Sequence, residues 1–252
     1  MKNLLHLAAA TLVALVLAPP ARAQSSSDMT KATRTGTVVE LFTSQGCNSC
    51  PPADAFLGEL AARNDIIALT FNVDYWDYLG WADTLAKPDY TERQRKYAAA
   101  MQDRRVYTPE MVIGGSVNAV GSDRGRVMSA VEAFRRSGTQ FLKVELARDD
   151  SHVVVRLPDG PAEAEATIWM VRYDRVQEVV IERGENGGRT LKYFNVVREL
   201  TNLGLWNGKA KEISYMADDL TEGGRDGCAV IVQRGSHGPI IGAAAMDLGP
   251  QY

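Results

Sequence analysis

Five residues constrain this chain more than any others: Cys47-Asn48-Ser49-Cys50-Pro51. They stand between a β-type run, Val38 to Phe42, and a segment from Cys50 to Arg63 that puts Phe56, Leu57, Leu60 and Ala61 on one helical face. A cysteine at a helix start meets unpaired N–H groups and the positive end of the helix dipole. Both favour thiolate over thiol, and thiolate is the attacking species. The spacing lets the second sulfur reach back and displace a bound partner. Two structural readings compete. Half of a zinc site would need further ligands, and Cys228, His152 and His237 are widely scattered. A structural disulfide between Cys47 and Cys50 is the better rival, although so short a ring is a poor staple.

Around this motif the chain reads β-α-β-α-β-β-α. Ile66 to Val73 is a second strand. Asp89 with Glu92 resembles a capping box for a helix running to about Asp103. Met111–Ile113 and Val117–Val120 form a hairpin at Gly114-Gly115. Ser122 is expected to cap a last helix closed by Gly138. That order implies a mixed α/β sheet with helices on both faces. From Phe141 the pattern changes to about eight short strands separated by turns such as Asp159-Gly160 and Gly223-Gly224, which suggests an all-β half built as a sandwich. The boundary is placed near Gly138, giving an α/β domain over 38–138 and a β-rich domain over 139–252.

The N-terminus reads as a targeting segment. Lys2 is followed by an apolar run from Leu4 to Leu17, then Pro19-Pro20 and the small-x-small sequence Ala21-Arg22-Ala23. The run is too short to span a bilayer core of ~30 Å. Cleavage after Ala23 is expected, leaving 24–37 as a polar linker and a periplasmic or secreted protein with no membrane span. Export permits disulfides. The composition is globular, 45% hydrophobic and 23% charged, and the net charge of −3 comes without a basic patch, so nucleic acid is not an expected partner.

A second signal is Tyr107-Thr108-Pro109-Glu110. Proline belongs at a strand start or edge, and a cis Thr108-Pro109 bond would offer the Thr108 backbone to an extended ligand. Together these residues give residues 38–137 a resemblance to a thioredoxin-fold domain. Pro109-Glu-Met-Val-Ile-Gly-Gly followed by Gly121-Ser122-Asp123 is similar to the glutaredoxin branch. The stretch from Val39 to Asp54, with Val73–Trp81 and Arg183–Arg189, resembles a family of exported bacterial thioredoxin-like proteins catalogued only as a domain of unknown function. The resemblance implies that Cys47 attacks, Cys50 resolves, Pro109 is the cis-proline and Thr108 pairs with substrate. It implies that Gly121, Ser122 and Asp123 hold the glutamyl carboxylate of glutathione. It also aligns Glu40 with a buried acid that shuttles a proton to Cys50. Two departures stand out: Gly46 occupies the place of a tryptophan, and the dipeptide is Asn48-Ser49.

The aromatic loop with Tyr75, Trp76, Tyr78 and Trp81 is either a substrate rim or packing against the second half. Its Asp74 and Asp77 are too few to argue for a metal. Cys228, in an apolar strand, is either an inert core thiol or a relay thiol. His237 reads as a turn residue. Arg183, Glu185, Asn186 and Arg189 form a polar turn able to dock on the first half. The expected function is an exported thiol–disulfide oxidoreductase acting on protein thiols, with no dissociable cofactor. The alternatives are a glutathione-linked enzyme and a non-catalytic binding module holding a structural disulfide or a soft metal.

Overall fold

The computed structural model describes residues 33–103, 105–161 and 165–249, so the targeting segment over 1–23 lies outside the described residues. The first half contains β1 (Thr37–Thr43), α1 (Pro51–Ala61), β2 (Ile66–Asn72), α2 (Pro88–Ala100), β3 (Glu110–Ile113), β4 (Val117–Val120) and α3 (Arg124–Arg136). β1 and β2 are parallel and buried along their whole length. A parallel pair covered on both faces needs near-continuous apolar runs, and both strands supply them. Alternation then sorts their side chains. Val39 and Leu41 pack under α1 and α3 with Ala53, Phe56, Leu57 and Val131. Val38 and Phe42 face the other way, towards Tyr90 and Tyr97 of α2.

Helix ends follow the local chemistry. α1 opens with proline in its first turn, with Cys50 at the N-cap. The capping box expected at Asp89 does not form: Pro88 starts α2 and Lys87 is an N-cap without a side-chain bond. At α3 the cap is Asp123, one residue later than expected, its carboxylate accepting from Arg126 N at 3.0 Å. β3 and β4 pair antiparallel, and Gly114 and Gly115 take the positive φ values of 57° and 66° that their turn requires.

The second half contains β5 (Glu145–Arg148), β6 (His152–Leu157), β7 (Ala166–Val180), β8 (Thr190–Trp206), β9 (Lys211–Met216), a short helix α4 (Ala217–Thr221), β10 (Gly227–Arg234) and β11 (Ile240–Asp247). The three runs expected between Thr167 and Glu199 are two long strands, which join into one hairpin. The expected self-contained sandwich gives way to a sheet shared by both halves. β8 pairs parallel with β2 at Thr70↔Val196, so eight strands run in the order β11-β10-β7-β8-β2-β1-β3-β4. The three-stranded sheet β5-β6-β9 faces one end of it. Strand alternation explains the fusion. Ile168, Met170, Cys228 and Val230 point at the small sheet. Val171, Tyr173, Ala229 and Ile231 point into the core that α2 shares with β1 and β2. A single core therefore crosses the boundary expected near Gly138.

Candidate functional site

The site is built at the exit of β1. After Thr43 the chain turns through Ser44-Gln45-Gly46, where Cys47 N donates to Ser44 O at 3.1 Å. Cys50 N then donates to Cys47 O at 3.2 Å. Cys47 and Cys50 are joined by a disulfide, with Cα atoms 5.4 Å apart. Only Asn48 and Ser49 of the motif face solvent, while Cys47 is 1% exposed and Cys50 is fully buried. The free N–H groups expected at this helix start are not available. Pro51 and Pro52 have none, and the N–H groups of Ala53 and Asp54 go to Cys50 O at 2.8 and 3.1 Å. The helix dipole remains as the positive influence on the sulfurs.

Two distant segments close over the turn. From the β7–β8 hairpin tip, the fully buried Asn186 donates through Nδ2 to Gln45 O at 2.9 Å and to Cys47 O at 3.0 Å. Arg189 Nη1 holds the Asn186 Oδ1 at 2.7 Å. From the aromatic loop, Trp81 Nε1 donates to Gln45 Oε1 at 2.8 Å, and Asp83 accepts from Gln45 N at 2.7 Å. Trp81 also packs on Ile181, Leu191 and Tyr193 of the second half. Trp76 lies against Gly46, whose added Cβ would be 3.1 Å from Trp76 Cβ. Its indole N–H donates to Thr108 Oγ1 at 2.7 Å, and Tyr75 OH donates to Gln94 Oε1 at 3.2 Å. Tyr78 points outward, 79% exposed. The loop thus serves partly as packing and partly as a wall between the cysteine turn and Thr108-Pro109.

The Thr108-Pro109 bond is cis. Pro109 O accepts from Gly121 N at 2.9 Å, and an added Cβ on Gly121 would meet Ala53, Leu41 and Pro109 at 3.1 to 3.3 Å. Pro109 and Gly121 are thereby brought to the start of α1. Ser122 and Asp123 are exposed at the entry to α3, and Asp123 is occupied as its cap.

Glu40 is buried as expected but serves elsewhere. Its neighbours Val39 and Leu41 point to α1, so Glu40 points to the opposite face. There it pairs with Arg93 at 2.8 Å and accepts from Tyr97 OH. Arg93 also reaches Tyr97 OH at 2.9 Å and Gln233 Oε1 at 3.3 Å, tying β1, α2 and β10 together. A carboxylate in that ion pair on the wrong face of the sheet cannot shuttle protons to Cys50.

The carboxyl on the correct face is Asp54. It lies one helical turn beyond Cys50, on the same side of α1. Thr43 Oγ1 donates to its Oδ1 at 2.8 Å, while its Oδ2 is buried without a partner among the described residues. Burial pushes its pKa up to about 8, against the Thr43 bond and with help from the nearby Asp83 charge. Burial also raises Asp83, whose Oδ2 accepts from Asn72 Nδ2 at 2.9 Å. Tyr193 OH is buried without a partner among the described residues, and burial, then the charges of Asp54 and Asp83, raises its pKa. A cavity of about 280 Å³ lined by Pro51, Asp54, Ala55, Leu191 and Phe194 opens beside Asp54. Sequence reasoning missed Asp54, although Cys50-Pro-Pro-Ala-Asp54 shows the i, i+4 spacing.

Two further candidates lie away from the disulfide. Cys228 is fully buried in the second-half core, and burial raises its thiol to about 12, as expected of an inert residue. His237 is buried against Tyr97 and Trp169, and burial, then Arg93 and Lys96, pushes it down to about 3, so it is neutral.

Among solved structures, the crystal structure of protein AGR_C_4864 from Agrobacterium tumefaciens is similar to this chain, at 31% identity and a TM-score of 0.77 over 86% of this chain and 96% of that one. HBP35 of Porphyromonas gingivalis shares the fold at 13% identity and a TM-score of 0.55, over 87% of this chain and 79% of that one. No curated protein matches. Residues 38–233 match the family described as protein of unknown function (DUF1223), and the chain belongs to that family.

Proposed function

We propose that the protein is an exported thiol–disulfide oxidoreductase with a thioredoxin-like catalytic unit over residues 38–138. The supporting pattern is a β-α-β-α-β-β-α frame that carries a CxxC disulfide at the N-cap of α1 and a cis Thr108-Pro109 segment beside it. Export is supported by the Lys2, Leu4–Leu17 and Ala21-Arg22-Ala23 pattern. The observation that carries the reading is Asp54, a buried carboxyl one turn beyond Cys50 whose Oδ2 has no partner among the described residues and which holds its proton at neutral pH.

A structural disulfide needs no such group, whereas a redox disulfide does. A substrate thiolate attacks Cys47 Sγ, the S–S bond breaks, and Cys50 departs with the electron pair. A thiolate released in a buried site is costly. Asp54 supplies the proton that neutralises it, and the cavity beside Asp54 lets that proton be replaced from solvent. A second substrate thiolate then attacks the mixed disulfide at its own sulfur. The substrate leaves oxidised, and Cys47 and Cys50 are left reduced. In the reverse direction Asp54 takes the Cys50 proton as Cys50 attacks.

Burial of both sulfurs favours a second reading, a permanent cross-link. Insulin reduction coupled to a thiol donor separates the two. The oxidoreductase reading expects turnover by the wild type and its loss in Cys47→Ser and Cys50→Ser. No turnover by the wild type, with a disulfide that resists physiological thiols, would leave the cross-link.

A further inference from the structure

We infer that Asn186 is a latch that controls access to the disulfide, so that reduction requires the tip of the β7–β8 hairpin to lift. This rests on reading Cys47–Cys50 as a redox pair, and it adds how that pair is gated.

The sulfur that must be attacked is not open to an incoming group. Cys47 is 1% exposed, and the hairpin tip bonds directly to the turn that carries it. Asn186 is fully buried and belongs to a segment whose other polar residues, Arg183, Glu185 and Arg189, are exposed. An asparagine buried alone in an exposed tip is there for its hydrogen bonds. Its two Nδ2 protons go to the carbonyls of Gln45 and Cys47, two of the residues leading into the disulfide turn. The Cys47 carbonyl also accepts from Cys50 N, so the latch holds the same atom that closes the CxxC turn. Arg189 fixes the amide orientation from behind.

The rest of the tip is built to seat this side chain. Gly184, at φ 77°, lies where an added Cβ would meet Trp81 Cβ at 3.4 Å, and Gly187 N donates to Gly184 O at 3.0 Å. Trp81 in turn donates to Gln45. The roof over Cys47 is therefore a closed circuit of Asn186, Gln45 and Trp81. The two amide bonds are what ties the tip to the cysteine turn. A partner that bonds to the same carbonyls can compete for them, whereas a small thiol reacts only when the tip lifts unaided, so it is slowed and not excluded. The latch thus selects for partners that engage the turn as well as the sulfur.

Asn186→Asp isolates these bonds. The carboxylate keeps the side-chain shape and still accepts from Arg189, but it cannot donate to either carbonyl. Purified oxidised protein is mixed with a water-soluble phosphine, which attacks one sulfur, gives up two electrons and ends as the oxide with oxygen from water, leaving two thiols. Thiol appearance is followed in the folded protein, with the melting temperature measured in parallel. The expected result is reduction about tenfold faster in Asn186→Asp, from the loss of two bonds, with Glu185→Ala at the wild-type rate. If Asn186→Asp does not fold, Arg189→Ala, which releases the amide without removing it, gives the same test with a smaller acceleration.

A change in melting temperature without a change in rate overturns the latch and makes Asn186 a structural residue. A rate within about twofold of wild type does the same. Because the phosphine needs no protein partner, the two ideas fail separately. Faster reduction without insulin turnover in either form retains the latch and rejects the oxidoreductase reading. An unchanged rate with normal turnover rejects only the latch.

Discussion

At the residue scale, two carboxyls that look alike in sequence differ by which side of a sheet they reach. Glu40 and Asp54 are both buried and both flank the cysteine motif. Glu40 meets Arg93 and becomes part of an internal ion pair. Asp54 accepts from a threonine hydroxyl, has no cation beside it among the described residues, and keeps its proton. The consequence is measurable as stability against pH. Asp54 titrates at about 8 when folded, above its ordinary 3.8. The folded chain therefore holds a proton that the unfolded chain releases across that window. Its contribution is complete below about pH 4 and is lost as pH rises towards about 8, a loss of a few kcal/mol. Asp54→Asn cannot titrate, so denaturant unfolding of this variant should lose less stability between those limits than wild type does. Asp83, raised in the same direction, leaves some slope in both. Equal slopes would mean that Asp54 is already ionised in the folded protein. The cysteines and the Thr-Pro pair were legible from sequence because local spacing defines them. The roles of Glu40 and Asp54 were not, because the partners that decide them, Arg93 and Thr43, come from elements whose facing only the assembled sheet reveals.

At the element scale the sequence resolves the first half well and the second half poorly. β1, β2 and α1 are marked by apolar runs and by proline at the helix start, and each lies within a few residues of its expected place. Breakage of β7 into two expected strands has a physical origin. Asp174 and Arg175 interrupt the apolar pattern, yet Asp174 is ion-paired with Arg225, so the backbone continues through them. The same hairpin presses on α1. An added Cβ on Gly58 would stand 2.5 Å from the ring of Phe194 on β8. Glycine within a helix costs about 1 kcal/mol relative to alanine, and here the space it leaves is filled by that ring. Gly58→Leu should therefore destabilise the protein by roughly 1–3 kcal/mol through overpacking, seen as a lower denaturant midpoint. A raised midpoint, as helix propensity alone would give, would show that α1 and β8 are not in close contact.

At the scale of the whole molecule, the second half is the continuation of the sheet that carries the cysteine turn, and its hairpin tip bonds to that turn through Asn186. Apolar patterning alone marks Gly138 as a boundary because the strand periodicity changes there. It cannot show that β8 pairs with β2, a contact between Thr70 and Val196 far apart in the chain. That pairing brings the β-rich half to the side of the sheet where its hairpin meets the cysteine turn. If Cys47 and Cys50 exchange with a partner, that partner can be trapped in the native compartment. With Cys50→Ser, an attack by Cys47 leaves a mixed disulfide that cannot be resolved, since serine does not take part in thiol exchange. High-mass adducts are expected from Cys50→Ser, removed by reductant and absent from Cys47→Ser, whose remaining sulfur lies deeper at the helix start. No adduct from either variant, with an intact and unreactive disulfide in the wild type, would mean that Cys47 and Cys50 form a permanent cross-link.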